Sequence, residues 1–548
     1  MKKLLALFLI LVICLSALSC KKDTVTYDED GNAIDKNTGE ILLLDESLKN
    51  LTYADDADRV FYEIFVGSFS DSDGDGTGDL RGIINRLDYL NDGDPDSGKS
   101  LGIEGIWLSP IFKSPSYHKY DVINYETIDP KFGTMDDLQE LITACHNRGI
   151  KLILDLVINH TSRDNLWFTK FCNARRSGDK SDPYYDFYST ADENSKGRTF
   201  GSITGTADRY ECNFSSDMPE LNYDNEAVRT EMLRIADYYL DMGIDGFRFD
   251  AAKYIYLGNE PKNVEFWNWY LGELRIEHPD LYTVAEVWDS DAITLQYAEA
   301  TSCFDFAISQ AEGLISSTAK KGNVNIYTAY VDKYLDSIAA KNKNTVFVPF
   351  VSNHDTDRSA GYNTLASGYA QVAANIYILG PGSPFIYYGE EIGMKGSRGG
   401  AMTDANRRLA MLWGDDDTVD DPVGTTYEKE KQTNGTVSSQ ITDPSSLYNY
   451  YKKLIQIRRA NPEIARGDYT ALYFEGIKLG GFISEYEGKR VVVIHNTSGS
   501  DVTYDIGPAV QGEGLYIKNV IGLGESSLEG TVLTVGAQTS VVLRFEEK

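Results

Sequence analysis

Between about residue 60 and residue 460 the chain alternates short apolar runs with amphipathic stretches, and eight of those runs qualify as strands. Such alternation demands a parallel sheet with helical crossovers. Eight units favour a sheet closed into a barrel over an open one. Val60-Phe61-Tyr62-Glu63-Ile64-Phe65-Val66 supplies the first strand, Ile103 to Leu108 the second and Lys151 to Ile158 the third. Later strands end at Asp250, near Glu286, around Phe306, at Asp355 and near Tyr388. A helix opened by Gly133-Thr134 and closed by Gly149 carries Leu138, Leu141, Ile142 and Cys145 at helical spacing. Further helices are predicted over Ala227 to Met242 and Leu447 to Ile457. From His160 to about Asn222 the alternation fails, over a stretch too long for a plain loop, so a small inserted domain is expected there. Beyond 466, alternating runs such as Arg490 to Ile494 and Ser540 to Phe545 predict an all-β sandwich. The expected fold is therefore α/β: a (β/α)8 barrel over 58–465, an insertion at about 160–222 after strand three, and a C-terminal β domain over 466–548.

A formal charge of −31 excludes the cationic footprint that nucleic-acid binding needs. It suits a neutral substrate, and 36 Tyr, 22 Phe and 6 Trp provide flat rings on which sugars stack. Most of those rings fill strands and helix faces. The N-terminus, Met1-Lys2-Lys3 followed by an apolar run from Leu4 to Leu18, reads as an export signal over 1–19. Ala17-Leu18-Ser19-Cys20 resembles a bacterial lipobox, which implies lipidation of Cys20 and anchoring at the cell envelope. The alternative is plain secretion. No other run reaches the roughly 18 apolar residues of a bilayer span. Residues 20–57, polar and Asp-rich, read as a flexible tether. Cys172 and Cys212 share the irregular segment and could pair in an oxidising compartment, whereas Cys145 reads as a packed thiol.

Three strand ends carry carboxylates: Gly246-Phe247-Arg248-Phe249-Asp250, Val284-Ala285-Glu286-Val287-Trp288 and Val351-Ser352-Asn353-His354-Asp355. The C-terminal ends of barrel strands are where catalytic groups collect. Glycoside hydrolysis needs one ionised carboxylate to attack the anomeric carbon and one protonated carboxyl for the leaving oxygen. Together with Asp155-Leu156-Val157-Ile158-Asn159-His160, these segments resemble the four ordered signatures of the α-amylase superfamily, and Met218-Pro219-Glu220-Leu221-Asn222 resembles its additional segment.

The resemblance implies a (β/α)8 barrel in which Asp250 is the nucleophile, Glu286 the general acid and then base, and Asp355 a holder of sugar hydroxyls. It assigns substrate contacts to Arg248, His160 and His354. In the loop Tyr117-His118-Lys119-Tyr120-Asp121 it assigns them to His118, Tyr120 and Asp121, the last paired with Arg408. Asp250-Ala251-Ala252-Lys253 leans towards α-1,4 cleavage, with Lys253 contacting sugar on the reducing side. Glu220 stands where the family usually has Asp, which leaves open whether a second calcium sits between barrel and insertion near Asn159 and Glu220. A second loop, Asp71-Ser72-Asp73-Gly74-Asp75-Gly76-Thr77-Gly78-Asp79, places oxygens at alternate positions around turn glycines, the logic of an EF-hand loop without its twelfth-position Glu. A structural Ca2+ held by Asp71, Asp73, Asp75, Thr77 and Asp79 is expected. The implied activity is retaining hydrolysis of starch or maltodextrin by a monomer. Competing readings are an α-glucosidase, oligo-1,6-glucosidase or transglycosylase of the same superfamily, and a non-catalytic glucan-binding protein.

Overall fold

The computed structural model describes residues 59–192, 196–400, 404–414, 419–428, 431 and 434–546, together with a small antiparallel pair, Val25–Tyr27 with Ala33–Asp35, inside the expected tether. The export signal, Cys20 and the rest of the tether lie outside the described residues, among which no helix is long and apolar enough to cross a membrane.

Seven parallel strands form the barrel wall: β1 (Phe61–Ile64), β2 (Gly105–Leu108), β3 (Lys151–Leu156), β4 (Gly246–Phe249), β5 (Tyr282–Ala285), β6 (Ser302–Cys303) and β7 (Phe385–Tyr387). Their order is β6-β5-β4-β3-β2-β1-β7. The eighth place belongs to residues 346–351, which make single parallel bridges, Phe304 with Val348 on one side and Phe350 with Phe385 on the other. The sheet thus returns on itself. Pro349 explains why this stretch is no ordinary strand, since it lacks the N–H a ladder requires. Its carbonyl still accepts from the Phe385 N–H at 3.0 Å.

Strand side chains alternate between faces, and the inward columns change character along each strand. Phe61 precedes Glu63, Ile153 precedes Asp155, and Tyr282 and Val284 precede Glu286. Phe61, Trp107, Ile153, Tyr282, Val284, Phe304, Val348, Phe350 and Phe385 pack into one apolar plug. The polar residues lie above it, at the C-terminal mouth. Gly105 leaves room for this layer, because a Cβ there would sit 2.4 Å from the Phe61 ring. Outward residues such as Tyr62, Ile106, Leu154 and Phe247 join the main core under the helices.

The helices follow their local signals. In α1 (Met135–His146) Thr134 and Asp137 form a reciprocal capping box, satisfying N–H groups the helix cannot. α2 (Glu226–Met242) is capped by Asn225 and stops at Gly243 in the left-handed region. α3 (Glu260–Glu277), α4 (Val324–Lys341) and α5 (Leu447–Arg459) complete the set used below.

The stretch after β3 holds a helix over Leu166–Ser177 and a small hairpin of Phe200–Ser202 with Arg209–Glu211. Bridges from His160 to Glu220 and from Tyr188 to Leu221 draw its start and middle to its end, and the Leu221 N–H donates to the Asn159 carbonyl at 3.0 Å. Cys172 and Cys212 remain separate, buried thiols. The pairing entertained from the sequence is not formed, and each thiol packs in the apolar core instead.

Beyond the barrel, β8 (Asp468–Leu472), β9 (Leu479–Tyr486), β10 (Lys489–Asn496), β12 (Leu515–Gly522) and β15 (Thr539–Phe545) form one antiparallel sheet in the order β8-β9-β10-β15-β12. A smaller sheet, β11 (Val502–Asp505), β14 (Val532–Val535) and β13 (Ser527–Glu529), covers its far side. In β10, Val491 and Val493 point into the barrel's core while Val492 and Ile494 join the sandwich core. The strand is buried on both faces.

Candidate active site

Arg248 organises the mouth of the barrel. It is inward-facing on β4, and its guanidinium stands 5.1 Å over the Trp107 ring at the top of the apolar plug. Its Nη1 donates to both oxygens of Asp155, at 3.0 and 2.8 Å, and to Asp250 Oδ1 at 2.8 Å. Its Nη2 donates to Glu286 Oε2 at 2.8 Å. Three carboxylates from three adjacent strands therefore surround one guanidinium. Immediately after Asp250 the backbone turns through Ala251, whose φ of 50° lies in the left-handed region. That turn aims the Ala251 N–H at Glu286 Oε2, 3.1 Å away. With Oε2 accepting two donors, Glu286 Oε1 is the oxygen able to carry an acid proton.

The electrostatics separate the two outer acids. Burial is the largest influence on Glu286; Arg248 opposes it, Asp250 and Asp355 add to it, and the carboxyl is pushed up to about 7. For Asp355 burial is outweighed by His354, Arg408 and Arg248, which hold it well below the usual carboxylate range. Asp355 Oδ2 lies 3.0 Å from His354 Nε2, and Oδ1 accepts from Arg408 Nη2 at 2.7 Å. One acid is poised to stay protonated near neutrality and the other stays ionised.

His118 and His160 are neutral donors. Burial pulls both down to about 4. His118 Nδ1 accepts from the Tyr120 N–H at 3.1 Å, so its proton resides on Nε2, and His160 Nδ1 lies 3.3 Å from the Asn159 amide nitrogen. His160 Nε2 is buried without a partner. Both rings line a cleft of about 850 Å³ with Tyr120, Asp250, Glu286, Asp355 and Arg408. Trp288, 41% exposed and stacked on Phe306, and Phe214, 46% exposed against His160 and Tyr254, offer flat apolar faces along it.

A polar mouth of this kind can attack an acetal carbon, protonate its leaving oxygen and grip hydroxyls. Residues 63–467 match the family model described as the α-amylase catalytic domain. The chain belongs to the α-amylase family. It is 34% identical over 500 residues to α-amylase 3 of Dictyoglomus thermophilum, covering 89% of this chain and 93% of that one. An oligo-1,6-glucosidase of a Bacillus species is 31% identical over 520 residues, covering 80% and 99%. The solved structure of Eubacterium rectale Amy13B superposes with a TM-score of 0.83 at 34% identity, covering 91% of this chain and 97% of that one. The protein is thus an enzyme of the α-amylase glycoside hydrolase superfamily, a superfamily consistent with an α-glucan substrate.

Within this α-amylase family member the remaining expected residues fall as follows. Lys253 Nζ donates to the Trp288 carbonyl and to Asp289, both at 2.8 Å, tying the loop after β4 to the loop after β5. Arg408 does not pair with Asp121 as expected. It bonds Asp355 and, at 3.2 Å, the Tyr117 hydroxyl, while Asp121 Oδ1 accepts from the Ser114 and Ser116 hydroxyls. Two serines close to Asp121 in sequence satisfy it locally, and the stronger charge partner for Arg408 is Asp355. In the acidic loop the carboxylates of Asp71, Asp73 and Asp79 lie within 4.8 Å of one another. Asp75 is not in that group, and its Oδ1 accepts from the Thr77 N–H at 2.7 Å. Near Asn159, Glu220 is held by Asn213 and lies beside Glu211, which is itself paired with Arg198 at 3.0 Å.

Sequence reasoning missed Glu63, Arg407 and, as a site residue, Asp155. Asp155 left a signal, an acid interrupting the apolar run of β3. Arg407, whose Nη1 donates to the Asp355 carbonyl at 2.7 Å, left none.

Proposed function

We propose that this enzyme is a retaining, endo-acting α-amylase-type hydrolase of α-1,4-glucans. The observation that carries the reading is the shared guanidinium: Asp250 and Glu286 each accept from one terminal nitrogen of Arg248 at 2.8 Å, an arrangement that supports the close carboxyl pair of a retaining enzyme. Asp250 attacks the anomeric carbon while the Glu286 Oε1 proton passes to the leaving oxygen. A glycosyl ester on Asp250 results, and the now ionised Glu286 takes a proton from the water that hydrolyses it, so the α configuration is kept. His118 and His160 donate through Nε2 to sugar hydroxyls, and Asp355 accepts from two hydroxyls of the same ring. The open cleft, with Arg408 turned away from Asp121, supports internal attack over end-clipping. Lys253 and the exposed faces of Trp288 and Phe214 support binding beyond the cleaved sugar.

The acidic loop after β1 fits a hard divalent cation such as Ca2+. Its donors are carboxylate oxygens, and Asp73 Oδ1 and Asp79 Oδ2 accept one backbone N–H each, from Asp75 and Ser72. Asp71, Asp73 and Asp79 would hold the ion, which would brace the loop and take no part in the chemistry.

Product profiles on maltoheptaose, panose and pullulan test the assignment. Mixed maltodextrins from maltoheptaose are expected, with early proton NMR showing α-anomers. Glucose alone, or preferential attack on panose, would assign the chain to the glucosidase reading favoured by its oligo-1,6-glucosidase relative. Dominant longer oligomers would assign transglycosylation.

A further inference from the structure

Glu63 sits on β1 beneath the cleft, 2% exposed, and cannot touch substrate. Its Oε1 nevertheless takes both donors of His354, ring Nδ1 at 2.5 Å and the backbone N–H at 3.3 Å. The other ring nitrogen, Nε2, lies 2.7 Å from the Tyr120 hydroxyl and 3.0 Å from Asp355 Oδ2. The single proton of Tyr120 is committed to Asp155 Oδ2 at 2.9 Å, so its oxygen can only accept from His354. Nδ1 faces a carboxylate and Nε2 faces two acceptors. Both nitrogens must therefore donate, and the ring is an imidazolium.

From this arrangement we infer that Glu63 is a positioning residue: its buried charge keeps His354 doubly protonated, and the cation in turn fixes and ionises Asp355 for the sugar. The inference rests on the role given to Asp355 above. It concerns a carboxylate outside the cleft lining. The groups facing the ring are Glu63 from β1, Tyr120 from the loop after β2 with Asp155 behind it, Asp355 beside it, and Arg408, which donates to the His354 carbonyl at 3.1 Å. Phe65, Trp107 and Tyr120 rings enclose it, and the Tyr120 ring is stacked at 5.5 Å. Burial alone would strip the proton; Asp355 and Glu63 reverse that and push the imidazole up to about 10.

The test is Glu63→Gln, which keeps an acceptor for Nδ1 but removes the charge. In the native enzyme the alkaline fall of kcat/KM follows loss of one proton, that of Glu286. In Glu63→Gln the His354 proton is held less tightly, so a second ionisation enters the alkaline limb and steepens it. The rate below it falls by about tenfold or more, chiefly in kcat, if the lost charge weakens one charge-assisted bond. An alkaline limb of unchanged steepness, whatever the rate, would overturn the proposal, because a purely structural role lowers activity without adding an ionisation. Should the variant misfold, nitrogen-15 NMR of the native histidines decides, with His354→Gln used for assignment. Both ring N–H signals persisting at pH 8 uphold the inference. A neutral ring at that pH refutes it, and neither NMR outcome depends on whether Asp250 or Glu286 is correctly assigned.

Discussion

At the scale of single residues, the separation of Glu286 from Asp355 sets the pH behaviour. In the proposed mechanism the general acid is Glu286, whose carboxyl is pushed up to about 7 and so keeps its proton below that value. Activity is therefore expected to be present below that value and lost as pH rises through it. Replacing Glu286 by Gln removes the proton donor and should lower kcat by roughly 10²–10⁴-fold, with the melting temperature little changed because the side chain faces the cleft. A fall of less than tenfold on soluble starch, measured with purified variant, would assign the acid elsewhere. The three strand-end acids were legible in the sequence because a carboxylate ending an apolar run has nowhere to go but the barrel mouth. Glu63 was not legible. It lies inside the run Phe61-Tyr62-Glu63-Ile64, and nothing local distinguishes an acid reaching a histidine 291 positions away from one on a solvated face.

Among the elements, the loop after β1 and the insertion after β3 make opposite predictions about solvent conditions. Chelation should lower the melting temperature, since an ion bound only to the folded state adds about 2.7 kcal/mol at a hundredfold excess over its dissociation constant. Asp73→Asn should abolish that sensitivity and Asp75→Asn should leave it, because only Asp73 belongs to the converging group. Calorimetry with and without chelator checks both. At Glu220, which follows the hairpin and bridges to His160, burial, then the neighbouring Glu211, raises the carboxyl from 4.5 to about 8. A raised carboxyl contributes stability that is intact below pH 4.5 and is lost as pH climbs to about 8. Glu220→Gln should flatten the melting temperature across that window; an equally steep decline in the variant would clear Glu220 of the effect. Helix starts and stops were readable because Thr134, Asn225 and Gly243 act locally. The eighth strand was readable only as an apolar run ending in an acid. Pro349 reduces it to two bridges, a tertiary outcome that hydrophobic patterning does not carry.

For the molecule as a whole, the β domain keeps its own sandwich core but also lends one face of its main sheet to the barrel's core. Helix α4 lies against β8 and β9, where Gly480 makes room, since a Cβ there would meet Val324 at 2.5 Å. Arg544 on β15 clasps Glu463 and Asn461, at the end of the last barrel helix, through bonds of 2.6–2.9 Å. Heating should accordingly give one transition, and Arg544→Ala should lower it by an amount equivalent to about 3–5 kcal/mol, the usual result of orphaning a buried acid. Two resolved transitions in native calorimetry would contradict a shared core. The sequence disclosed that a β domain exists, from the alternation in β10 and β15. It did not disclose that both faces of β10 are spoken for, because the pattern Arg-Val-Val-Val-Ile suits any interior strand. That double burial reaches back to the moment of synthesis. Val491, Val493 and Val542 leave the ribosome after the whole barrel, yet they seal its core. At roughly 5–20 residues per second, the nascent barrel spends several seconds with an apolar flank bare, and the cell must shelter it until the final strand arrives.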